Sequence, residues 1–304
     1  MSFAVGLLFL LFAATGALAQ DRLPVVASTT DLKALVEAVG GARVAVTSIA
    51  PASMDAEDYS PKPQDVARVA GARLAVRVGL DYDIWFDRLL AQAGRADLMR
   101  GQAGHVDASY AIPVIEVRGA AVGPGDGHAH GRGNPHYWLD PKNAEIVTAT
   151  VLEALARLDP AHAGAFEKNR AAFLTALDAK LAGWQQRLAP LHGRALVAYH
   201  NSWSYFARRF RLDIAGIIEP KPGVQPGPAH LAAMIRLMRD RNVGIVIREP
   251  HEPERDAAFL AAKTGAAIVV LAASVGATPR ATDYIALFDA DVDALAAAAG
   301  AGGR

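Results

Sequence analysis

The chain has 304 residues, 52% of them hydrophobic, enough for one large domain or two smaller ones. Lys plus Arg and Asp plus Glu are both 31, so the formal net charge is zero and nothing favours nucleic acid or an anionic membrane surface as a partner. Cysteine is absent, which excludes disulfides, thiol lipidation, cysteine zinc sites and thiol catalysis; any metal must be held by His, Asp or Glu.

Val5 to Leu18 is apolar apart from glycine and threonine, and Ala17-Leu18-Ala19 before Gln20 has the small-x-small form of a signal-peptidase site. The run is shorter than the ~20 residues a membrane span needs. Residues 1–19 are therefore expected to be a signal peptide, and the mature protein to be soluble and periplasmic.

Leu23–Ala27 reads as a strand, followed by a helix from about Asp31 to Val39 that Gly40-Gly41 ends. Val44–Ile49 is a strand, Gln64–Ala70 a helix, Leu74–Val78 a strand and Tyr82–Ala93 a helix. From Pro141 to Leu188 the pattern is almost wholly helical, broken at Asp159-Pro160, and the piece from Ala161 to about Leu188 is unusually long. Alternation resumes with strand Ala195–Tyr199, helix Ser202–Phe210, strand Asp213–Ile218 and helix Ala229–Arg241. Strand Val243–Ile247, helix Glu254–Thr264, strand Ala267–Leu271 and a helix to about Ala299 complete the chain. The fold class is α/β: two lobes, each a mainly parallel sheet flanked by helices, bridged by a long helix. The lobes are residues 20–159, with a short His-containing loop at 125–133, and 190–304; the linking helix is 160–189.

Ligands of such sheets gather beyond the carboxyl ends of strands. Glu57 follows the second strand, His200 directly follows Ala195–Tyr199, and Glu249 directly follows Val243–Ile247 with His251 two residues on. His136 sits in Gly133-Asn134-Pro135-His136-Tyr137-Trp138-Leu139-Asp140-Pro141, where two prolines restrict the backbone and aim the imidazole. Two imidazoles with one or two carboxylates suit a divalent first-row cation, and two carboxylates would neutralise its charge. His128 and His130 lie among glycines and read as a weak, adaptable capture loop.

These strings resemble the ZnuA/TroA-like metal-binding receptors of bacterial ABC importers for zinc and manganese. The Asn-Pro-His-Tyr-Trp-Leu-Asp-Pro run is the most specific part. Tyr59-Ser60-Pro61-Lys62-Pro63-Gln64-Asp65, the run from Ala198 to Phe206, and Glu249-Pro250 support it. The resemblance spans about Leu23 to Ala299 and implies a metal held between two lobes, with His136 and His200 as the second and third ligands. Histidine at the third position accompanies zinc, so Zn2+ is the expected cargo, with Mn2+ or Fe2+ as the alternatives that Glu57 favours. Glu57 stands where the family usually has its first histidine. The family's aspartate after the last core strand is missing from Leu271-Ala272-Ala273-Ser274; Glu249 or His251 is the expected substitute, Glu219 a weaker one. The implied partner is an ABC importer permease in the inner membrane, served by a monomer.

The leading function is a receptor that captures a divalent ion, with no catalytic role. Because imidazoles must be neutral to bind, capture is expected to weaken as pH falls through about 6.5. The second reading is a zinc hydrolase with His136, His200 and Glu57 as a His2Glu set and Glu249 as base. Against it, the chain has no His-Glu-x-x-His pair and no Gly-x-Ser-x-Gly elbow. A third reading is a receptor that has lost its metal and serves as a scaffold or adhesin.

Overall fold

A computed structural model describes residues 22–117, 132–221 and 223–301. The expected signal peptide and the histidines His128 and His130 lie outside the described residues. Eight described strands form two four-stranded sheets, parallel throughout, because each strand is returned to its sheet by a crossover. The first contains β1 (Leu23–Ala27), β2 (Val44–Ser48), β3 (Leu74–Arg77) and β4 (His105–Asp107), in the order β2-β1-β3-β4. The second contains β5 (Ala195–Ala198), β6 (Asp213–Ile217), β7 (Ile245–Arg248) and β8 (Ala267–Val270), in the order β6-β5-β7-β8. Central strands are covered on both faces, so β3 and β5 are buried along their whole length. The strand order reverses at β1 and at β5, and crevices open beyond such points.

The helices are α1 (Thr30–Gly40), α2 (Pro63–Ala70), α3 (Ile84–Gln92), α4 (Asn143–Leu158), α5 (Ala163–Leu188), α6 (Ser204–Phe210), α7 (Pro228–Asp240), α8 (Glu254–Thr264) and α9 (Tyr284–Ala301). Two differences from the sequence reading have physical causes. Strand β4 went unread because, of its three residues, only Val106 is apolar and buried, leaving no hydrophobic run. Helix α3 starts at Ile84 rather than Tyr82, because Gly79, Leu80 and Asp81 take positive φ and form a tight loop first. None of the described helices is long and apolar enough to cross a membrane.

Helix α5 has 26 residues, about 39 Å at 1.5 Å per residue, and buries only Phe166, Leu177, Trp184 and Leu188. Its first half docks on the first lobe, where Asn169 Nδ2 donates to Val39 O at 3.0 Å. Its second half docks on α9, where Trp184 Nε1 donates to Asp289 Oδ1 at 2.8 Å. One continuous apolar core contains residues of both sheets together with Tyr137, Trp138, Phe206 and Phe288; a smaller one lies under α7 and α8. Polar contacts cross the same boundary. Trp138 Nε1 donates to Ala273 O at 2.8 Å, and the Tyr284 hydroxyl donates to Trp138 O at 2.6 Å. Arg209 grips Asp140 through two bonds of 2.6 and 2.9 Å.

Asp31 on α1 accepts the Val275 N–H of the loop after β8 at 2.9 Å, with Ser274 beside it, and is almost wholly buried. Burial outweighs the hydrogen bonds that favour its charge, and the carboxyl is pushed up to about 7 from 3.8. Between those values the folded chain keeps a proton that the unfolded chain releases, so this group's contribution to stability falls as pH rises through the window. Asp31→Asn keeps an acceptor for Val275. Its free energy of unfolding relative to wild type is expected to increase steadily from pH 4 to 7, by up to about 1 kcal/mol per pH unit, as read by urea denaturation. A constant difference across that range would show that Asp31 does not titrate there.

Candidate metal centre

The His136 turn is a single 3-10 turn, Tyr137–Leu139, pinned from beneath by the Tyr137 hydroxyl on Val78 O (2.8 Å) and by Trp138 on the opposite lobe. His136 is buried at 3% exposure. Asn134 Oδ1 accepts its backbone N–H at 2.9 Å and lies 3.1 Å from its Nδ1. The Asn134 amide nitrogen faces two acceptors, Glu116 Oε2 and Asn201 O, so its oxygen must face the imidazole. Nδ1 of His136 therefore carries the proton and Nε2 is left as the ligand atom.

His200 sits two residues past the end of β5, the strand at which the second sheet's order reverses. Its Nδ1 lies 2.7 Å from Glu219 Oε2, which fixes Nδ1 as a donor and makes Nε2, once deprotonated, the ligand atom. Burial lowers the His200 pKa, but the bond to Glu219 and the charges of Asp55 and Glu249 outweigh it and raise the group to about 9. The two imidazole centroids are 5.5 Å apart, one from each lobe. Tyr82 and Trp138 wall His136 at 5.4 and 5.3 Å.

Among the described residues, the set of His, Asp and Glu able to share one ion is Asp55, His136 and His200, whose ligand atoms all lie within 4.8 Å of one another. Asp55 comes from the loop after β2, and its Oδ1 accepts from Glu57 N–H (2.8 Å) and the Tyr82 hydroxyl (3.0 Å). Of the expected residues, the structure thus brings His136 and His200 together. Glu57 lies outside the set, partly buried, and Asp55 is the acid of this loop that belongs to it. Glu249 and His251 line the same small cavity as Asp55 and His136, which places both beside the set without making them members of it.

Glu249 is 6% exposed, and its Oε1 accepts the Ser202 hydroxyl at 2.6 Å. Burial first, then the neighbouring Glu252, pushes its carboxyl well above the usual range. Glu252 Oε2 accepts the Glu249 N–H at 2.5 Å, and its other oxygen is buried without a partner. His251 Nδ1 is 3.8 Å from Glu249 Oε2, and desolvation lowers its pKa. Beside His200 a larger cavity of about 310 Å³ is lined by Asp55, Asp58, Glu219, His251 and Glu252. Glu219, expected as a weak ligand substitute, is instead the group that orients His200. The backbone after β8 is held by carboxylates from elsewhere, Asp291 on Ala272 N–H at 2.8 Å and Asp31 on Val275 N–H.

The model of the zinc-uptake complex component A family (ZnuA, periplasmic) matches residues 25–298, almost the whole described chain. The chain belongs to the ZnuA family. Among ZnuA-like relatives, a putative metal-binding protein of Treponema pallidum is 28% identical over 251 residues, 82% of this chain and 78% of its own. The iron-binding protein YfeA of Yersinia pestis is 25% identical over 294 residues, 93% of this chain and 90% of its own. The crystal structure of a zinc-bound ZnuA deletion mutant is similar with a TM-score of 0.76 and 28% identity, covering 91% of this chain and 98% of that one. ZnuA-family proteins are substrate-binding receptors of ABC importers rather than enzymes, so the hydrolase reading has no support.

Sequence reasoning missed Asp55, Asn134, Ser202 and Tyr82. Only Asp55 left a signal, as a second acid two residues before Glu57. Of the two, Asp55 is the one that Tyr82, 27 residues away, bonds through its hydroxyl.

Proposed function

We propose that the protein is a periplasmic receptor that captures a divalent cation, zinc foremost, and delivers it to an ABC importer permease in the inner membrane. Asp55, His136 and His200 supply the core of the site, with Glu249 or His251 completing the coordination. The observation that carries this reading is the convergence of two imidazoles, each with its Nδ1 engaged by a partner, on one half-buried carboxylate. Asp55 and Glu249 together offset the ion's two charges, which lowers the cost of burying it. The zinc-bound family structure supports zinc, and His200 at the third position agrees with it. Iron(II) or manganese is the second reading, favoured by a carboxylate where the family usually has a histidine and by the iron-binding relative.

Residues 1–19 act in this reading as the export signal, and residues 20–159, 160–189 and 190–304 as first lobe, linking helix and second lobe. Calorimetric titration of the mature protein with zinc, manganese and iron(II) tests the proposal. One tight site per chain is expected, with zinc bound most tightly. Asp55→Ala is expected to weaken zinc by about 100-fold or more and Glu57→Ala by less than about threefold. The reverse order would restore Glu57 as the ligand, and no uptake of any of the three ions would refute the receptor function.

A further inference from the structure

Glu116 is not among the ligands, yet its carboxylate joins the two segments that carry the histidines. Its Oε2 accepts from Asn134 Nδ2 at 3.1 Å and from Asn201 Nδ2 at 2.9 Å. Asn134 precedes His136 by two residues in one lobe, and Asn201 follows His200 directly in the other. Asn134 Nδ2 also donates to Asn201 O at 2.9 Å, so three groups meet at one point of the lobe boundary.

The consequence reaches the imidazole. With its nitrogen turned toward Glu116 and Asn201, Asn134 must present its oxygen to His136, which keeps the proton on Nδ1 and the lone pair on Nε2. Were the amide to flip, its nitrogen would face the Nδ1–H and the ligand tautomer would be lost. Glu116 also adopts φ of 58°, a left-handed conformation unfavourable for a residue with a Cβ. The residue before it is fixed at both backbone groups, by Asn134 N–H on Ile115 O (2.9 Å) and by the Tyr205 hydroxyl, which accepts the Ile115 N–H at 3.2 Å.

We propose that Glu116 is a positioning residue: it locks the Asn134 amide behind His136, ties it to the His200 segment, and so sets how long the receptor holds its ion. The inference rests on His136 and His200 being ligands. Glu116 is exposed, so solvent screens its charge and the effect is smaller than that of a ligand.

The test is zinc dissociation into excess chelator by stopped flow, for wild type, Glu116→Ala and Glu116→Gln, with the melting temperature of each metal-free protein. Glu116→Ala is expected to release zinc about 3- to 10-fold faster, with metal-free melting unchanged. Glu116→Gln, whose amide oxygen accepts the same two N–H groups, is expected to restore most of the wild-type rate. A Glu116→Ala protein that releases zinc at the wild-type rate would overturn the inference while the ligand set stands. So would a glutamine variant as fast as alanine, or a rate change matched by lost metal-free stability. A wild-type protein that takes up no zinc would overturn the ligand set, and this inference with it.

Discussion

Replacing His200 by alanine is expected to weaken zinc binding by more than about 100-fold, because loss of a partner behind a ligand already costs 10- to 100-fold and this removes the ligand itself. The imidazole is the second lobe's contribution to the Asp55–His136–His200 set, which among the described residues contains no other histidine from that lobe. His251 lines the small cavity, but it faces Glu249 at 3.8 Å. Glu219→Gln makes a graded companion. It keeps His200 and the acceptor oxygen but removes the charge behind Nδ1, and is expected to cost about 10-fold. Competition against a chromophoric chelator measures both. A His200→Ala protein within threefold of wild type would remove His200 from the site.

Replacing Arg77 by methionine is expected to destabilise the metal-free protein by about 3–5 kcal/mol, the usual cost of leaving a buried ion pair with one partner. Arg77 is fully buried at the end of β3, bonded to Asp83 at 2.9 Å and Asp87 at 2.7 Å. Asp83 in turn accepts the Val78 and Gly79 N–H groups at 2.6 and 3.1 Å, holding the left-handed loop that presents Tyr82. Tyr82 then donates to Asp55. The substitution therefore affects the fold directly and the site through the Tyr82 loop. Urea denaturation gives the stability, and zinc titration of the surviving folded protein is expected to show weaker binding. Loss of less than about 1 kcal/mol would mean the ion pair does not hold this loop.

The sequence made some of this legible and hid the rest for physical reasons. Strands such as Leu74–Arg77 and Ala195–Ala198 are buried on both faces, so they appear as uninterrupted apolar runs. His136 stood out because prolines bracket its turn, and His200 because it ends such a run. What stayed hidden is decided between residues far apart in the chain. Asp55 is bonded by a hydroxyl 27 residues away, and Glu219 orients His200 across 19 residues. Asn134 and Glu116 act through amide orientation, which leaves no periodicity to read. Glu249 and His251 were placed near the site from their strand-end position, and both line its small cavity.

The proposed donors also bear on the choice of metal. A set of two imidazoles and one carboxylate, with a second buried carboxylate nearby, is harder than a histidine-rich zinc site. The expected preference is zinc over manganese by a smaller margin than three histidines would give. The most direct measurement is an anomalous difference map at the zinc edge from crystals of the mature protein grown with zinc. The account predicts one strong peak between the lobes, about 2.0–2.2 Å from His136 Nε2, His200 Nε2 and an Asp55 carboxylate oxygen. A peak coordinated by Glu57 with Asp55 turned away, or no peak between the lobes at all, would contradict it.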